Sequence, residues 1–272
     1  MNKILSLVTG VAVSLITLSS QAAGTLSPGK LVIASDLTYP PYNYIQDNQP
    51  AGFDAEFMQL LAHEMHLTPV VKDTRFASLI LGLKSNKFDV IASTLYITPE
   101  RARQVDFIPY MQTGGALMVK TGGNWQPASP EDLCGKRVGS IKGGAWIQKL
   151  QSVSASYCVP EGKGTIDIRE FPSSPEVAQA LLSGAIDVQY EDAAVAKATV
   201  EKTGERLTIS SDKLLYPEVV GLAVNKNDPL LMNNLKQAFS EIVKSGQYAV
   251  LLKKYNVKMP DASEVNKSLS GS

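Results

Sequence analysis

Two stretches of the chain echo each other in sequence, and this echo constrains the fold more than any other feature. They are LKSNKFDV over residues 83–90 and LLSGAIDV over residues 181–188. Each pattern predicts the end of a helix, a short turn and then a buried strand. Five positions after the aspartate of each stretch come Thr94 and Asp192, where the strand should end. Because ligands of open α/β sheets bind at the carboxyl ends of the strands, the echo predicts two similar lobes that hold a small molecule between them.

Strand and helix signals alternate along the rest of the chain, which is typical of an α/β fold. One run of alternation covers residues 23–113 and a second covers residues 114–216. A third segment, over 217–260, continues with an extended stretch and two helices. We therefore predict that lobe 1 is built from 23–113 and 217–260, and that lobe 2 is inserted between them.

Two connections between the lobes follow from this division. We place the crossings near residues 111–115 and 215–219. The Thr113-Gly114-Gly115 segment is expected to form a flexible break before a strand over 116–120. The polar, serine-rich tail over 261–272 is predicted to fray.

The first 22 residues are typical of a cleaved signal peptide rather than of the fold. Lys3 supplies a positive start, residues 4–18 are apolar, and Ser20-Gln21-Ala22 fits a small-x-small cleavage site. The apolar stretch is too short and too interrupted by polar residues for a membrane span. We expect residues 1–22 to be removed and the mature protein to work in a Gram-negative periplasm.

The two cysteines, Cys134 and Cys158, are predicted to form a disulfide, because an exported protein meets an oxidising compartment. The bond would close a loop of 24 residues. In the chain-entropy model such a loop stabilises the fold by roughly 3 kcal/mol. A catalytic thiol needs a base nearby, and both histidines are far away in sequence.

Charge and motifs exclude several classes of partner. The 272 residues include 26 lysines and arginines and 26 aspartates and glutamates, without a basic run, so we expect no nucleic-acid partner. His63 and His66 are one residue too close for the zinc motif of the zincins, and we expect no metal. The glycine-rich segment 139–144 lacks the lysine and hydroxyl residue that end a phosphate loop, and we expect no cofactor.

Two motifs resemble a known family. GFDAEFMQLLA over residues 52–62 and FDVIASTLYITPER over residues 88–101 are similar to hallmark segments of the periplasmic solute-binding proteins of family 3, the amino-acid receptors of ABC uptake systems. The first motif departs at Ala55, where a larger apolar residue is usual. The resemblance covers the chain from about Lys30 to Tyr255. It implies an α/β, two-lobed periplasmic-binding-protein fold of type II, with two crossing strands as the hinge and the ligand in the interlobe cleft.

The charged groups of an amino acid explain the site residues that the resemblance implies. A free α-amino acid carries a carboxylate and an ammonium group, so its receptor needs a forked cation and an anion. By resemblance, Arg101 binds the carboxylate, while Asp192, with Thr94 and the Ser93 backbone, binds the ammonium. The helix-opening N–H groups that should assist Arg101 are those of Gly143, Gly144 and Ala145. The positions that match the family's side-chain pocket are Asp36, Tyr39, Phe76 and Tyr96, and further candidates are Tyr42 and Glu191.

Departures from the family leave the ligand open. Gly144 and Ala145 stand where hydroxyl residues are common, Tyr96 replaces a small polar residue, and Trp146 adds bulk nearby. Asp36 and Glu191 favour a cationic side chain (arginine, lysine, ornithine or histidine), caged by aromatic rings through cation–π contacts. The alternative is a neutral polar amino acid, with Asp36 accepting a hydrogen bond from an amide.

Other readings of the chain stay open at this point. Asp192 is also a good N-cap for the helix that follows it. An enzyme on the same scaffold, such as a cyclohexadienyl (prephenate or arogenate) dehydratase, would use Glu191 as a general acid. A sensory ligand-binding module is a third possibility. For the receptor, the expected partners are an amino acid and the membrane permease of an ABC transporter, and we expect a monomer.

Overall fold

A computed structural model describes residues 24–270, so the predicted signal peptide lies outside the described residues. The strands are β1 Lys30–Ser35, β2 Thr38–Tyr39, β3 Asn43–Gln46, β4 Gln49–Ala51, β5 Thr68–Asp73, β6 Val90–Ile91, β7 Asp106–Lys120, β8 Arg137–Ile141, β9 Asp167–Phe171, β10 Val188–Asp192, β11 Leu207–Ile209 and β12 Leu215–Val224. The helices are α1 Phe53–Glu64, α2 Leu79–Lys84, α3 Pro99–Ala102, α4 Trp146–Val153, α5 Ser174–Ser183, α6 Ala193–Lys202, α7 Pro229–Lys244, α8 Gln247–Tyr255 and α9 Ala262–Ser270. Among residues 24–270, no helix is both long enough and apolar enough to cross a membrane.

Among the described residues, nine strands form one mixed sheet with the order β5-β1-β6-β12-β7-β10-β8-β9, and β11 pairs with β7. In the first half, β1 runs parallel to β5 and β6, and in the second half β8 runs parallel to β9 and β10. The long antiparallel strands β7 and β12 join the two halves. A small sheet of β2, β3 and β4 lies beside the first half. The predicted α/β fold is confirmed, while the lobe boundaries stay a prediction.

The echoed segments form equivalent structures in the two halves. Helices α2 and α5 end at Lys84 and Ser183, and the buried strands β6 and β10 follow, as predicted. The aspartates of the two segments, Asp89 and Asp187, also have the same structural role. Asp89 accepts a hydrogen bond of 2.7 Å from the Val32 N–H of β1, and Asp187 accepts one of 2.9 Å from the Arg137 N–H of β8. Each carboxylate therefore ties its strand to the start of the neighbouring parallel strand.

The predicted break at Thr113-Gly114-Gly115 is wrong, because β7 runs without interruption through these residues. A side chain at Gly115 would collide with the ring of Tyr190 on β10. The glycine therefore permits close packing of adjacent strands rather than flexibility. The same segment pairs with β12 on one side, through Thr113 and Glu218 among others, and with β10 on the other.

The polar tail also differs from the prediction, since residues 262–270 form helix α9 instead of fraying. Its start is a reciprocal cap: the Glu264 N–H donates to Asp261 Oδ1, and the Asp261 N–H donates to Glu264 Oε2, both at 2.8 Å. This arrangement satisfies two of the N–H groups that a helix start leaves free. The Asp-x-x-Glu spacing at the start of the tail thus outweighs its serine content.

The predicted disulfide between Cys134 and Cys158 is confirmed. It joins the loop before β8 to the turn that follows α4. Cys158 is fully buried in the main hydrophobic cluster.

Candidate ligand-binding cleft

A cavity of about 20 Å³ lies between the two halves, where the carboxyl ends of β1 and β6 face the start of α4. Eight of the residues predicted from the sequence line it, together with Ile141 and Trp146. The lining residues are Asp36, Tyr39, Phe76, Ser93, Thr94, Tyr96, Ile141, Gly144, Ala145 and Trp146. The other predicted residues, Arg101, Gly143, Glu191 and Asp192, lie next to this lining. The structure thus brings the predicted set together, and its role in binding is a proposal.

Thr94 owes its position in the cleft to a buried carboxylate. It has a left-handed backbone with φ of 47°, which is unusual for a β-branched residue. Asp54 Oδ2 accepts the Thr94 N–H at 2.7 Å and its hydroxyl at 3.2 Å. Tyr110 and Asn43 also donate to Asp54, at 2.5 and 2.8 Å. Burial raises the pKa of Asp54, and these donors partly offset the rise.

We expect Asp54→Ala to lower the free energy of unfolding by at least about 3 kcal/mol, because it leaves several buried donors without an acceptor. Thr94 should also lose its strained conformation, and ligand affinity should fall. Chemical denaturation measures the first effect and calorimetry the second. The control is Glu64→Ala on the same helix, where the side chain is exposed and the change should stay within about 0.5 kcal/mol. Equal stability of the two variants would contradict this role of Asp54.

Asp36 follows β1 and is buried at the cavity wall, with 1% of its surface exposed. Its Oδ1 accepts from the Thr38 hydroxyl at 2.7 Å and pairs with the Arg75 guanidinium at 3.1 Å. Its Oδ2 accepts the Phe76 N–H at 2.8 Å. The Asp36 N–H donates to the Ser93 hydroxyl at 2.9 Å, which ties the ends of β1 and β6 together. The carboxylate thus already has a cationic partner within the protein.

Arg101 sits on α3 and reaches from the first half to the second. One guanidinium nitrogen donates to the Tyr96 carbonyl at 2.7 Å, and the other donates to the Gly143 carbonyl at 2.9 Å. The guanidinium carbon also lies 5.5 Å from the centre of the Phe76 ring, a cation–π contact. Burial lowers the pKa of Arg101 to about 10, which still leaves it charged at neutral pH. In the described residues, no carboxylate lies within ion-pair distance of this cation.

Asp192 ends β10 and is fully buried. Its Oδ1 caps α6 by accepting the Ala194 N–H at 2.9 Å, so the predicted capping role is confirmed. Its Oδ2 faces the other way and accepts the hydroxyls of Tyr96 and Thr113, both at 2.7 Å. Burial raises the pKa of Asp192, and the hydroxyl donors partly lower it. Oδ1 therefore caps α6, while Oδ2 faces the cleft, where it accepts from two uncharged hydroxyl groups.

Glu191 is buried beside Asp192 and is enclosed by protein donors. Its Oε1 accepts the Tyr39 hydroxyl at 2.6 Å and the Asp192 N–H at 2.9 Å. Its Oε2 accepts the Ser174 hydroxyl and the Gln189 amide. Burial raises the pKa of Glu191. Because four donors occupy its oxygens, Glu191 acts here as a link to Tyr39 of the first half.

The glycine segment before α4 differs in part from the prediction. Gly143, with φ of 78°, presents its carbonyl to Arg101, while its N–H donates to Glu170 at 3.3 Å. The Gly144 N–H donates to the Ile141 carbonyl at 3.1 Å. Helix α4 has no side-chain cap, and its Ile147 N–H donates to the Gly144 carbonyl at 3.3 Å, so the N–H groups of Ala145 and Trp146 at its start are the ones suited to an anion. Tyr42, one of the two further candidates, is buried, and its hydroxyl lies 3.2 Å from that of Thr113.

Two contributors, Thr113 and Arg75, are not among the site residues predicted from the sequence, and Trp146 was expected only to add bulk near the glycine segment. Trp146 packs edge-on against Tyr96 with ring centres 4.7 Å apart, and it closes one side of the cavity. Thr113 lies on β7 and reaches Asp192 from the crossing. Arg75 precedes Phe76 and gave no signal beyond its charge. Neither Thr113 nor Arg75 has sequence neighbours that place it at the cleft, whereas Trp146 lies next to the glycine segment.

A larger groove of about 510 Å³ lies elsewhere, between α4, the start of β12 and α9. It contains the ion pair of Lys149 with Glu218. Of the predicted site residues, it includes only Ala145. The smaller cavity is therefore the candidate site, because it combines burial with groups suited to both ends of an amino acid.

Comparison with known proteins places these features in a family. The sequence profile of the bacterial extracellular solute-binding proteins, family 3, matches residues 31–258. The L-cystine-binding protein TcyJ of Escherichia coli K12 is 29% identical over 230 residues, which cover 84% of this chain and 82% of TcyJ.

Solved structures agree. An ancestral arginine-binding protein bound to arginine is 31% identical, with a TM-score of 0.76 over 84% of this chain and 98% of that one. The ancestral amino acid-binding protein AncCDT-1, a precursor of cyclohexadienyl dehydratase, is also 31% identical, with a TM-score of 0.71 over 84% of this chain and 95% of that one. The chain therefore belongs to the bacterial extracellular solute-binding proteins, family 3.

Proposed function

We propose that the protein captures a free polar L-amino acid in the periplasm and delivers it to the permease of an ABC transporter. The observation that carries this proposal is the placement of one buried guanidinium and one buried carboxylate at opposite ends of Tyr96. Arg101 contacts the Tyr96 carbonyl, and Asp192 contacts its hydroxyl. A zwitterion needs one group of each sign. The ligand carboxylate binds Arg101 and the N-terminus of α4, and the ammonium replaces the Tyr96 hydroxyl on Asp192.

Ligand entry requires the lobes to separate. A cavity of about 20 Å³ has room for roughly one water molecule. Tyr39 with Glu191, Tyr96 with Asp192, and Arg101 with the Gly143 carbonyl connect the two halves across the cleft. A ligand that contacts Arg101 and Asp192 together favours the closed arrangement, as expected for hinge closure.

A thermal-shift screen of refolded protein against all common amino acids tests the proposal. Refolding from denaturant removes ligand carried through purification. A ligand present at 100 times its Kd stabilises the folded state by about 2.7 kcal/mol. For a chain of this size, that corresponds to a rise in Tm of about 5 to 10 °C.

The control for this screen is the D-enantiomer of the best L-amino acid, which presents the same groups in the wrong arrangement and should give a much smaller shift. If no amino acid raises Tm at millimolar concentration, the proposed function is wrong.

We propose binding rather than catalysis, despite the resemblance to a dehydratase precursor. A general acid must reach the reacting atoms. Glu191 does not line the cavity, and four donors occupy its oxygens. Turnover of prephenate or arogenate by the purified protein would support the enzyme instead. We further propose that the receptor acts as a monomer.

A further inference from the structure

The side-chain end of the cleft already contains its own cation. Asp36 was expected to pair with a positively charged ligand side chain, yet its Oδ1 lies 3.1 Å from the Arg75 guanidinium. Asp36 is almost fully buried, whereas the Arg75 side chain is 39% exposed and also pairs with Asp73. Arg75 therefore approaches Asp36 from the solvent side, while Asp36 lines the cavity from within.

The contacts of the Asp36 carboxylate also favour an uncharged ligand group over a cationic one. A carboxylate has about four acceptor positions. The Thr38 hydroxyl donates to Oδ1 and the Phe76 N–H donates to Oδ2, while the Arg75 guanidinium lies at ion-pair distance from Oδ1. An acceptor position remains on Oδ2, and the Arg75 guanidinium, which Asp36 shares with the more exposed Asp73, offsets part of the charge behind it. This position suits a neutral N–H or O–H donor.

The aromatic residues expected to cage a cation are engaged elsewhere. The ring of Phe76 lies under the Arg101 guanidinium, and the Tyr96 ring packs edge-on against Trp146. The Tyr39 hydroxyl donates to Glu191. A second cation in this space would meet the positive charges of both Arg75 and Arg101.

We propose that Arg75 is the specificity-determining residue of the cleft and that, by offsetting the charge of Asp36, it selects an amino acid whose side chain carries an uncharged hydrogen-bond donor. This inference rests on the proposed function and reverses the expectation of a cationic ligand. A ligand with an acidic side chain is disfavoured as well, because its carboxylate would lie against the Asp36 carboxylate.

Arginine and citrulline provide a matched pair of probes. They have nearly the same shape and the same α-carbon groups, but the ureido group of citrulline is neutral. Calorimetry on refolded wild-type protein should show that citrulline binds at least as tightly as arginine, and the strongest ligand of the full amino-acid panel should have an uncharged side chain.

Three variants assign the effect to Arg75. In Arg75→Gln, Asp36 loses its cation, and the ratio of arginine affinity to citrulline affinity should rise at least tenfold. Arg75→Lys keeps the charge and should keep the wild-type ratio. Arg103→Gln removes an exposed arginine at the end of α3 and should also leave the ratio unchanged. Since Arg75 is partly exposed, all three variants should fold, which thermal unfolding checks.

The outcomes separate this inference from the proposed function. A cationic or acidic amino acid as the strongest wild-type ligand would overturn the inference and leave the receptor function intact. An unchanged ratio in Arg75→Gln would overturn the role of Arg75. If no amino acid binds the wild-type protein at all, the proposed function and the inference fall together.

Discussion

Replacing Arg101 with alanine is expected to abolish measurable amino-acid binding while leaving the fold intact. The substitution removes the guanidinium that donates to the Tyr96 and Gly143 carbonyls. Charge-assisted hydrogen bonds contribute about 1.5 to 3 kcal/mol each. The loss of two such bonds to the ligand carboxylate weakens binding by more than 100-fold. Calorimetry with the best ligand of the screen measures this loss.

The variant Arg103→Ala serves as the control for Arg101→Ala, because Arg103 is exposed and ends the same helix. It should bind with wild-type affinity. The Tm of ligand-free Arg101→Ala should stay within about 5 °C of the wild type, since the guanidinium lies between the halves rather than in a hydrophobic core. Wild-type affinity in Arg101→Ala would show that the carboxylate binds elsewhere.

Replacing Asp192 with asparagine separates its two roles. Asparagine is as good an N-cap as aspartate, so α6 should keep the bond from the Ala194 N–H. The negative charge facing the cleft is lost, and affinity for the ligand ammonium should fall about 10- to 150-fold. Because burial raises the pKa of Asp192, the ligand-free variant should be at least as stable as the wild type.

The control for Asp192→Asn is Asp228→Asn, which changes the N-cap of α7 far from the cleft. Its side chain accepts the Leu231 N–H at 3.0 Å, and the substitution should alter neither affinity nor Tm appreciably. If Asp192→Asn also binds the ligand normally, Asp192 is only a helix cap, and the ammonium site must be sought elsewhere.

Local patterns were sufficient to predict the framework of the fold. The echo of 83–90 and 181–188 contains a helix end, a turn and a buried strand within eight residues each, so neighbouring residues determine the outcome. It also indicated Thr94, which lies three residues after β6 and lines the cavity, and Asp192, the last residue of β10. The family motifs added Arg101, whose neighbours alone look like an ordinary charged surface.

The parts that failed depend on contacts between residues far apart in the chain. Arg75 and Asp36 are separated by 39 positions, and nothing near either residue indicates that they pair. Gly115 looked like a flexible residue because its need for close packing comes from Tyr190 on another strand. Charge balance inside a cleft is likewise a property of the assembled site, which is why the sequence favoured a cationic ligand, whereas we propose a neutral one.

A crystal structure of the refolded protein with the strongest ligand of the screen tests the central claim most directly. The account predicts one ligand enclosed between the halves, with its carboxylate about 3 Å from the Arg101 guanidinium and its ammonium at a similar distance from Asp192 Oδ2. A ligand bound in the groove beside α9, or one that contacts Arg101 or Asp192 but not both, would contradict it.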